Sequence, residues 1–242
     1  MPRPDPNWFD ALPNNRLMAE FSLWSADLVR LADDVARINP HADMMHVDVA
    51  DGHFAPAMLY FPDLVAKVRE LTPVPIHVHL MVADSILLPQ IDQFADAGAD
   101  LISIHAENGA AIGPALDLLA ARNVRAGMVL RVETPVEAAS AHLPRLDMLT
   151  LLGTAIGVKG QGLNEAAPTR LREARAFIAK AGRRIVLAAD GGIRDTTVPV
   201  LRAAGAETVV MGSLAFAAPD LAARIAWVRS QPGPGESSAA SI

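Results

Sequence analysis

Short, nearly continuous apolar runs alternate along this chain with longer runs whose apolar positions fall three and four apart. The first kind predicts strands: MAEFSLW from Met18, MMHVDV from Met44, PIHVHLM from Pro75, LISIHA from Leu101, AGMVLR from Ala126, DMLTLL from Asp147, RIVLAA from Arg184 and ETVVMG from Glu207. The second predicts helices in LVRLADDVARI (from Leu28), LVAKVREL (from Leu64), ILLPQIDQFADAGAD, LREARAFIAKAG and VPVLRAAGAE. Glycines in AGAD, AKAG and AGAE stand just past helix ends. Strands this apolar belong to a parallel sheet covered by helices. Eight strand–helix units in 242 residues predict an α/β protein with a single (β/α)8 TIM barrel rather than an open doubly wound sheet. No GxGxxG follows the first strand, which speaks against a dinucleotide site. The barrel is expected over 18–230. Residues 1–17 read as an N-terminal arm with a short helix around Trp8, Phe9 and Leu12 that caps a barrel end. Residues 231–242, QPGPGESSAASI, have nothing to bury and read as a flexible tail.

Composition narrows the partners. With 21 Lys and Arg against 27 Asp and Glu, the net charge is −6, which argues against a nucleic-acid surface but not against one local phosphate site. There are no cysteines, so disulfides, thiolate nucleophiles and Cys-based metal sites are excluded. No apolar run approaches the roughly 18 residues of a membrane span, and the start lacks the apolar core of a signal peptide. A cytoplasmic protein without membrane partners is the expectation.

In such a barrel, chemistry gathers at the C-terminal strand ends. Polar residues cluster there: Ser22 and Ser25 at the end of the first strand, His46, Asp48 and Asp51 at the end of the second, His77 and His79 at the end of the third. His105 and Glu107 end the fourth strand, Arg131 the fifth and Asp190 the seventh. Side chains two apart on a strand share a face, so His46 points with Asp48 and His77 with His79. If that face is inward, the mouth holds imidazoles and carboxylates that an apolar core would not tolerate unpaired. Two ring nitrogens with carboxylate oxygens suit one borderline divalent ion, Zn2+, Fe2+, Mn2+ or Co2+. Three glycine-bearing loops follow the last strands: GVKGQG from Gly157, AADGGIRD with Gly191 and Gly192, and MGSLAF with Gly212 and Ser213. Backbone N–H groups in such turns form an anion cradle, which barrels use for phosphate. The chain has only three lysines, and one of them, Lys159, stands in the first of these loops beside Gly160.

These residues resemble the ribulose-phosphate 3-epimerase family from about Phe21 to Phe216. SLWSAD is similar to that family's PSILSAD, HVDVADGHFAP to H-x-D-V-M-D-G-x-F-V-P, and HVHLMV to D-x-H-L-M-V. AADGGI is similar to V-D-G-G-I/V and MGSLAF to A-G-S-A-I-F. The resemblance implies a TIM barrel of the ribulose-phosphate-binding type, with one divalent ion on His46, Asp48, His79 and Asp190. It implies Asp48 and Asp190 as the acid/base pair on opposite faces of the substrate. Ser22 and Met81 would contact the sugar, and Gly191, Gly192, Gly212 and Ser213, with the retained loop glycines Gly157 and Gly160, would contact the phosphate end. Lys159 is no part of the family pattern, and its place in this loop suggests separately either a charge offered to the phosphate or a solvated loop lysine. The implied reaction is C3 epimerisation of a ketose phosphate, by default D-ribulose 5-phosphate to D-xylulose 5-phosphate, in a homo-oligomer, dimer or hexamer.

The departures fall on the pocket wall and the phosphate loop. LLGTAIGVKGQ retains only Gly157, Gly160 and Gln161 of M-x-V-x-P-G-F-G-G-Q. Two family methionines are Ala50 and Leu152, and the family's Pro, Leu, Asp and Asn positions hold Phe21, Trp24, His77 and Ala57. They leave open the same chemistry on a phosphorylated tetrulose or on allulose 6-phosphate, and a non-catalytic sugar-phosphate-binding barrel. Decarboxylase and synthase relatives with a D-x-K-x-x-D set are disfavoured, because HVDVADG has no lysine where that set needs one.

Overall fold

The structure is a computed structural model, and residues 1–235 are described. Eight parallel strands close on themselves: β1 (Met18–Ser22), β2 (Met44–Asp51), β4 (Ile76–Met81), β5 (Leu101–His105), β6 (Arg125–Leu130), β7 (Met148–Leu152), β8 (Val186–Asp190) and β9 (Thr208–Met211). A two-residue strand, β3 (Met58–Leu59), folds back antiparallel on the end of β2. The cyclic order is β1-β9-β8-β7-β6-β5-β4-β2, and the pairing of β1 with β2 completes the ring. All eight sequence-predicted strands are present, and the architecture is a single (β/α)8 barrel.

Helices α1 (Leu31–Ile38), α2 (Pro62–Leu71), α3 (Asp84–Ala97), α4 (Ile112–Ala121), α5 (Ala167–Ile178) and α6 (Val198–Ala203) follow successive barrel strands, except that β6 is followed only by short 3-10 turns, Val136–Ala139 and Leu143–Arg145; α7 (Ser213–Phe216) and α8 (Leu221–Arg229) both follow β9. Sequence periodicity found five of them. The α4 segment IGPALDLLAA is apolar almost all round and shows little contrast between faces, while α8 buries Leu221, Ile225 and Val228 at spacings of four and three. Along each strand, alternate residues divide between two apolar populations. Ala19, Phe21, Met45, Val47, Ile102, Ile104, Leu149 and Leu187 pack outward against the helices. Met18, Met44, Leu101, Met148 and Val186 face inward and fill the N-terminal end of the barrel.

Phe9 and Leu12 from the arm join that inward cluster, and the Arg184 guanidinium holds them there through the carbonyls of Phe9, Asp10 and Leu12. The arm forms successive turns over residues 6–12, not the expected short helix. Pro6 and Pro13 leave room between them for less than two helical turns, too few to offset the cost of nucleation. Of the expected tail, residues 236–242 lie outside the described residues. Among the described residues, no helix is long and apolar enough to cross a membrane.

Candidate metal centre and active site

Above the apolar floor, the barrel interior turns polar. The inner face of β2 reads Met44, His46, Asp48. That of β1 reads Met18, Glu20, Ser22, and that of β4 reads His77, His79, Met81. Strand register sets their heights. Ser22 pairs with His46, Asp48 with His79, and Leu152 with Asp190. His46 Nε2 lies 3.2 Å from Asp48 Oδ1 and 3.9 Å from Asp190 Oδ2. His79 Nδ1 lies 3.5 and 3.7 Å from the same two oxygens. Four donor atoms, one from each residue, fall within 4.8 Å of one another. A tetrahedral ion with bonds of about 2.0–2.1 Å spaces its ligands about 3.3 Å apart, so these separations fit one small divalent ion. A further observation points the same way: His79 Nδ1 is buried without a hydrogen-bond partner and faces the two carboxylates. A buried ring nitrogen in that state is costly unless something accepts its lone pair.

The two carboxyls titrate far apart. Burial alone would raise Asp48, but the His46 and His79 rings beside it outweigh burial and hold it well below the usual carboxylate range. Asp190 is pushed up to about 6, by burial first and by the Asp48 charge, against the pull of the two rings. Neighbouring acids driven apart in this way are the arrangement that lets one act as base while the other carries a proton. Ser22 Oγ donates to Asp48 Oδ2 at 2.7 Å, so Oδ1 remains turned toward the rings.

The cluster forms the floor of a 560 Å3 cavity at the C-terminal end of the barrel. Ser22, Met81, Gly157, Lys159, Gly160, Gly191, Gly192, Gly212 and Ser213 all line it, with Asp48, His79 and Asp190; His46 lies just beneath. The backbone turns after β8 depend on glycine. Gly192 has φ of +70°, and a Cβ there would sit 2.8 Å from the Leu163 backbone. Gly157 packs against Pro56, so it shapes the wall as well as lining the cavity. The Lys159 ammonium donates to the Trp24 carbonyl and lies 4.7 Å from the Trp24 ring centroid, bridging two loops of the mouth. Arg194 also lines the cavity, a cation that sequence reasoning passed over.

Other strand-end candidates take structural places. Asp51 accepts the backbone N–H groups of His53, Phe54 and Ala83 and ties two loops together. Arg131 stacks over the Phe54 ring at 4.3 Å. His77 shares the inward face of His79 but lies one layer lower, bonded to Glu20 and Ser103, and does not reach the cluster. Glu20 escaped the sequence reading altogether. Its signal was a lone carboxylate in an apolar strand, two residues before Ser22 and so on the same face.

The chain is 36% identical over 204 residues to ribulose-phosphate 3-epimerase 1 of Cupriavidus necator, covering 82% of this chain and 84% of that protein. It is 32% identical over 210 residues to ribulose-phosphate 3-epimerase of Bacillus subtilis, covering 86% and 96%. Among solved structures, it superposes on 3-keto-L-gulonate-6-phosphate decarboxylase from Vibrio cholerae with a TM-score of 0.69 at 16% identity, covering 89% and 97%. It superposes on a 3-hexulose-6-phosphate synthase with a TM-score of 0.64 at 17% identity, covering 89% and 99%. At those identities the structural likeness concerns the barrel alone. The sequence also matches the description of the ribulose-phosphate 3-epimerase family over residues 18–216. With that match and relatives of this identity over most of its length, the chain belongs to the ribulose-phosphate 3-epimerase family, a family of carbohydrate isomerases.

Proposed function

We propose that this protein epimerises C3 of a ketose phosphate, D-ribulose 5-phosphate to D-xylulose 5-phosphate, with one divalent ion held by His46, Asp48, His79 and Asp190. The observation that carries the proposal is the convergence of these donors, with the orphaned His79 Nδ1, on the floor of a cavity rimmed by glycine turns. Epimerisation removes the proton beside a ketone and returns one to the opposite face, through an enediolate. A bound divalent ion supplies Lewis-acid stabilisation for the negative charge that develops on the carbonyl oxygen. Asp48 would act as base on one face and Asp190 would return the proton on the other, with the roles exchanged in reverse. The pair titrates as a coupled unit, so the proton belongs to the site rather than to one residue. Ser22 orients Asp48 through its hydrogen bond. Met81 and Leu152 supply apolar wall beside the reacting carbon, which limits water access.

The phosphate end of the sugar is assigned to the turns at Gly191, Gly192, Gly212 and Ser213, where backbone amides anchor it away from the reacting carbon. Trp24 and Lys159 at the mouth support a second reading, the same chemistry on another ketose phosphate. Steady-state assays with restored Zn2+, Mn2+, Fe2+ or Co2+ on a panel of ketose phosphates separate the two. The expected result is highest kcat/KM on D-ribulose 5-phosphate, with solvent deuterium entering at C3. A preferred tetrulose or hexulose phosphate replaces the substrate but keeps the chemistry. No deuterium incorporation from any of them overturns both.

A further inference from the structure

Glu20 is fully buried in the barrel interior, one layer beneath the carboxylates of the mouth. An ionised carboxylate there survives only if donors surround it. Its Oε1 lies 2.8 Å from His46 Nδ1 and 2.5 Å from His77 Nδ1, and its Oε2 lies 3.4 Å from Thr208 Oγ1. A carboxylate accepts and does not donate, so both Nδ1 atoms carry hydrogen. Ser103 Oγ, 2.7 Å from His77 Nε2, supplies the hydrogen that the far side of that ring lacks.

A second chain of contacts runs to His79. Its Nε2 lies 2.8 Å from His105 Nε2, so one hydrogen is shared between two nitrogens and one ring donates to the other. His105 Nδ1 lies 2.9 Å from Glu107 Oε2, which makes Nδ1 the protonated nitrogen of a neutral His105 ring. Its Nε2 therefore accepts, and His79 donates from Nε2. Glu107 is itself fixed by Thr134 Oγ1 and by the Arg131 backbone N–H.

We propose that Glu20 and Glu107 are positioning residues for the two ligating histidines: Glu20 holds the Nδ1 hydrogen of His46 directly, and Glu107 holds the Nε2 hydrogen of His79 through His105. Each ring then turns its other nitrogen, His46 Nε2 and His79 Nδ1, toward Asp48 and Asp190. This rests on the metal reading above. It assigns a role to three groups, Glu20, His105 and Glu107, that the proton-transfer scheme does not use, and it explains why His79 Nδ1 has no partner. Outer carboxylates of this kind raise the basicity of a ligating imidazole and fix its orientation, and their loss typically costs 10–100-fold in metal affinity.

Two measurements decide it. Zn2+ and Co2+ affinities are measured by chelator competition for wild type, Glu20→Gln and Glu107→Gln. Glu20→Gln is expected to weaken binding at least tenfold and to alter the visible spectrum of the Co2+ protein. Glu107→Gln, one ring further away, is expected to weaken binding several-fold. Unchanged affinity in both, with a wild type that binds metal, overturns the inference alone. A wild type that binds neither metal overturns the metal reading and the inference with it. Nitrogen-15 histidine spectra of the Zn2+-loaded wild type need no variant to fold. They are expected to show Nδ1–H on His46 and Nε2–H on His79, and coordination through the opposite atoms overturns the assignment.

Discussion

The two ends of one barrel interior are built from the same strand faces yet hold opposite chemistry. At the N-terminal end, Met18, Met44, Leu101, Met148 and Val186 close around Phe9 and Leu12, with the Arg125 and Arg184 guanidiniums against the Phe9 ring. Two to four residues further along β1, β2 and β8 stand Glu20, His46, Asp48 and Asp190, joined by His79 of β4, beneath an open 560 Å3 cavity. The floor is stabilised by removal of apolar area from water. The mouth gains little from that and depends on every buried charge having a partner. One end therefore supports the fold and the other holds groups poised for chemistry, and mutations should divide accordingly.

The largest effect is expected at the mouth. Asp48→Asn should lower kcat about 10³-fold or more with metal restored, the range for losing a positioned acid or base. Its unfolding transition should remain cooperative. Asp190→Asn should do the same to kcat. Turnover near wild type in either variant would remove the two-carboxylate scheme.

At the floor, Phe9→Ala should cost about 3–4 kcal/mol in chemical denaturation, as expected for truncating a buried Phe. The ring is 2% exposed, with the Arg125 guanidinium 5.0 Å from its centroid. The kcat per folded molecule should be unchanged. A fall in kcat without loss of stability would show that the two ends are coupled.

A pH experiment sharpens the contrast. In the metal-free protein Asp190 titrates near 6, against 3.8 as its ordinary value. The folded state thus holds the proton more tightly than the unfolded chain. The contribution of Asp190 to the stability of the metal-free protein should therefore fall as pH rises from about 4 to about 6. Asp190→Asn removes that loss. It should be the more stable protein at pH 8 in the presence of chelator, with the difference shrinking toward pH 4. A difference independent of pH would mean that Asp190 is not held protonated by its surroundings.

The smallest effect is expected at the rim. Lys159 is exposed and engaged with Trp24, so its contribution to phosphate binding should be on the order of 0–1 kcal/mol. Lys159→Ala should raise KM for the phosphorylated sugar up to about fivefold and change kcat less. An unchanged KM would make Gly157 and Gly160 turn-formers alone.

Periodicity in the sequence determined the eight strands, the single barrel and the parity that puts His46 with Asp48 and His77 with His79 on inward faces. The motif resemblance added the four candidate ligands. All four reach one cluster because strand alternation is local and steric, readable from any short run. Depth is not local. It follows from the stagger between neighbouring strands, which pairs Asp48 with His79 and leaves His77 one layer below beside Glu20. For the same reason Glu20 could be seen as an anomaly in an apolar strand, but its partners come from β2 and β4, 26 and 57 residues away. The Lys159–Trp24 bridge joins residues 135 apart, and the turns of the arm replace a helix only because two prolines and Arg184 confine them. Faces are written in the sequence because each residue alone sets the direction of its Cβ. Layers, partners and protonation states were decided only when the barrel closed, because each depends on groups brought together by the ring.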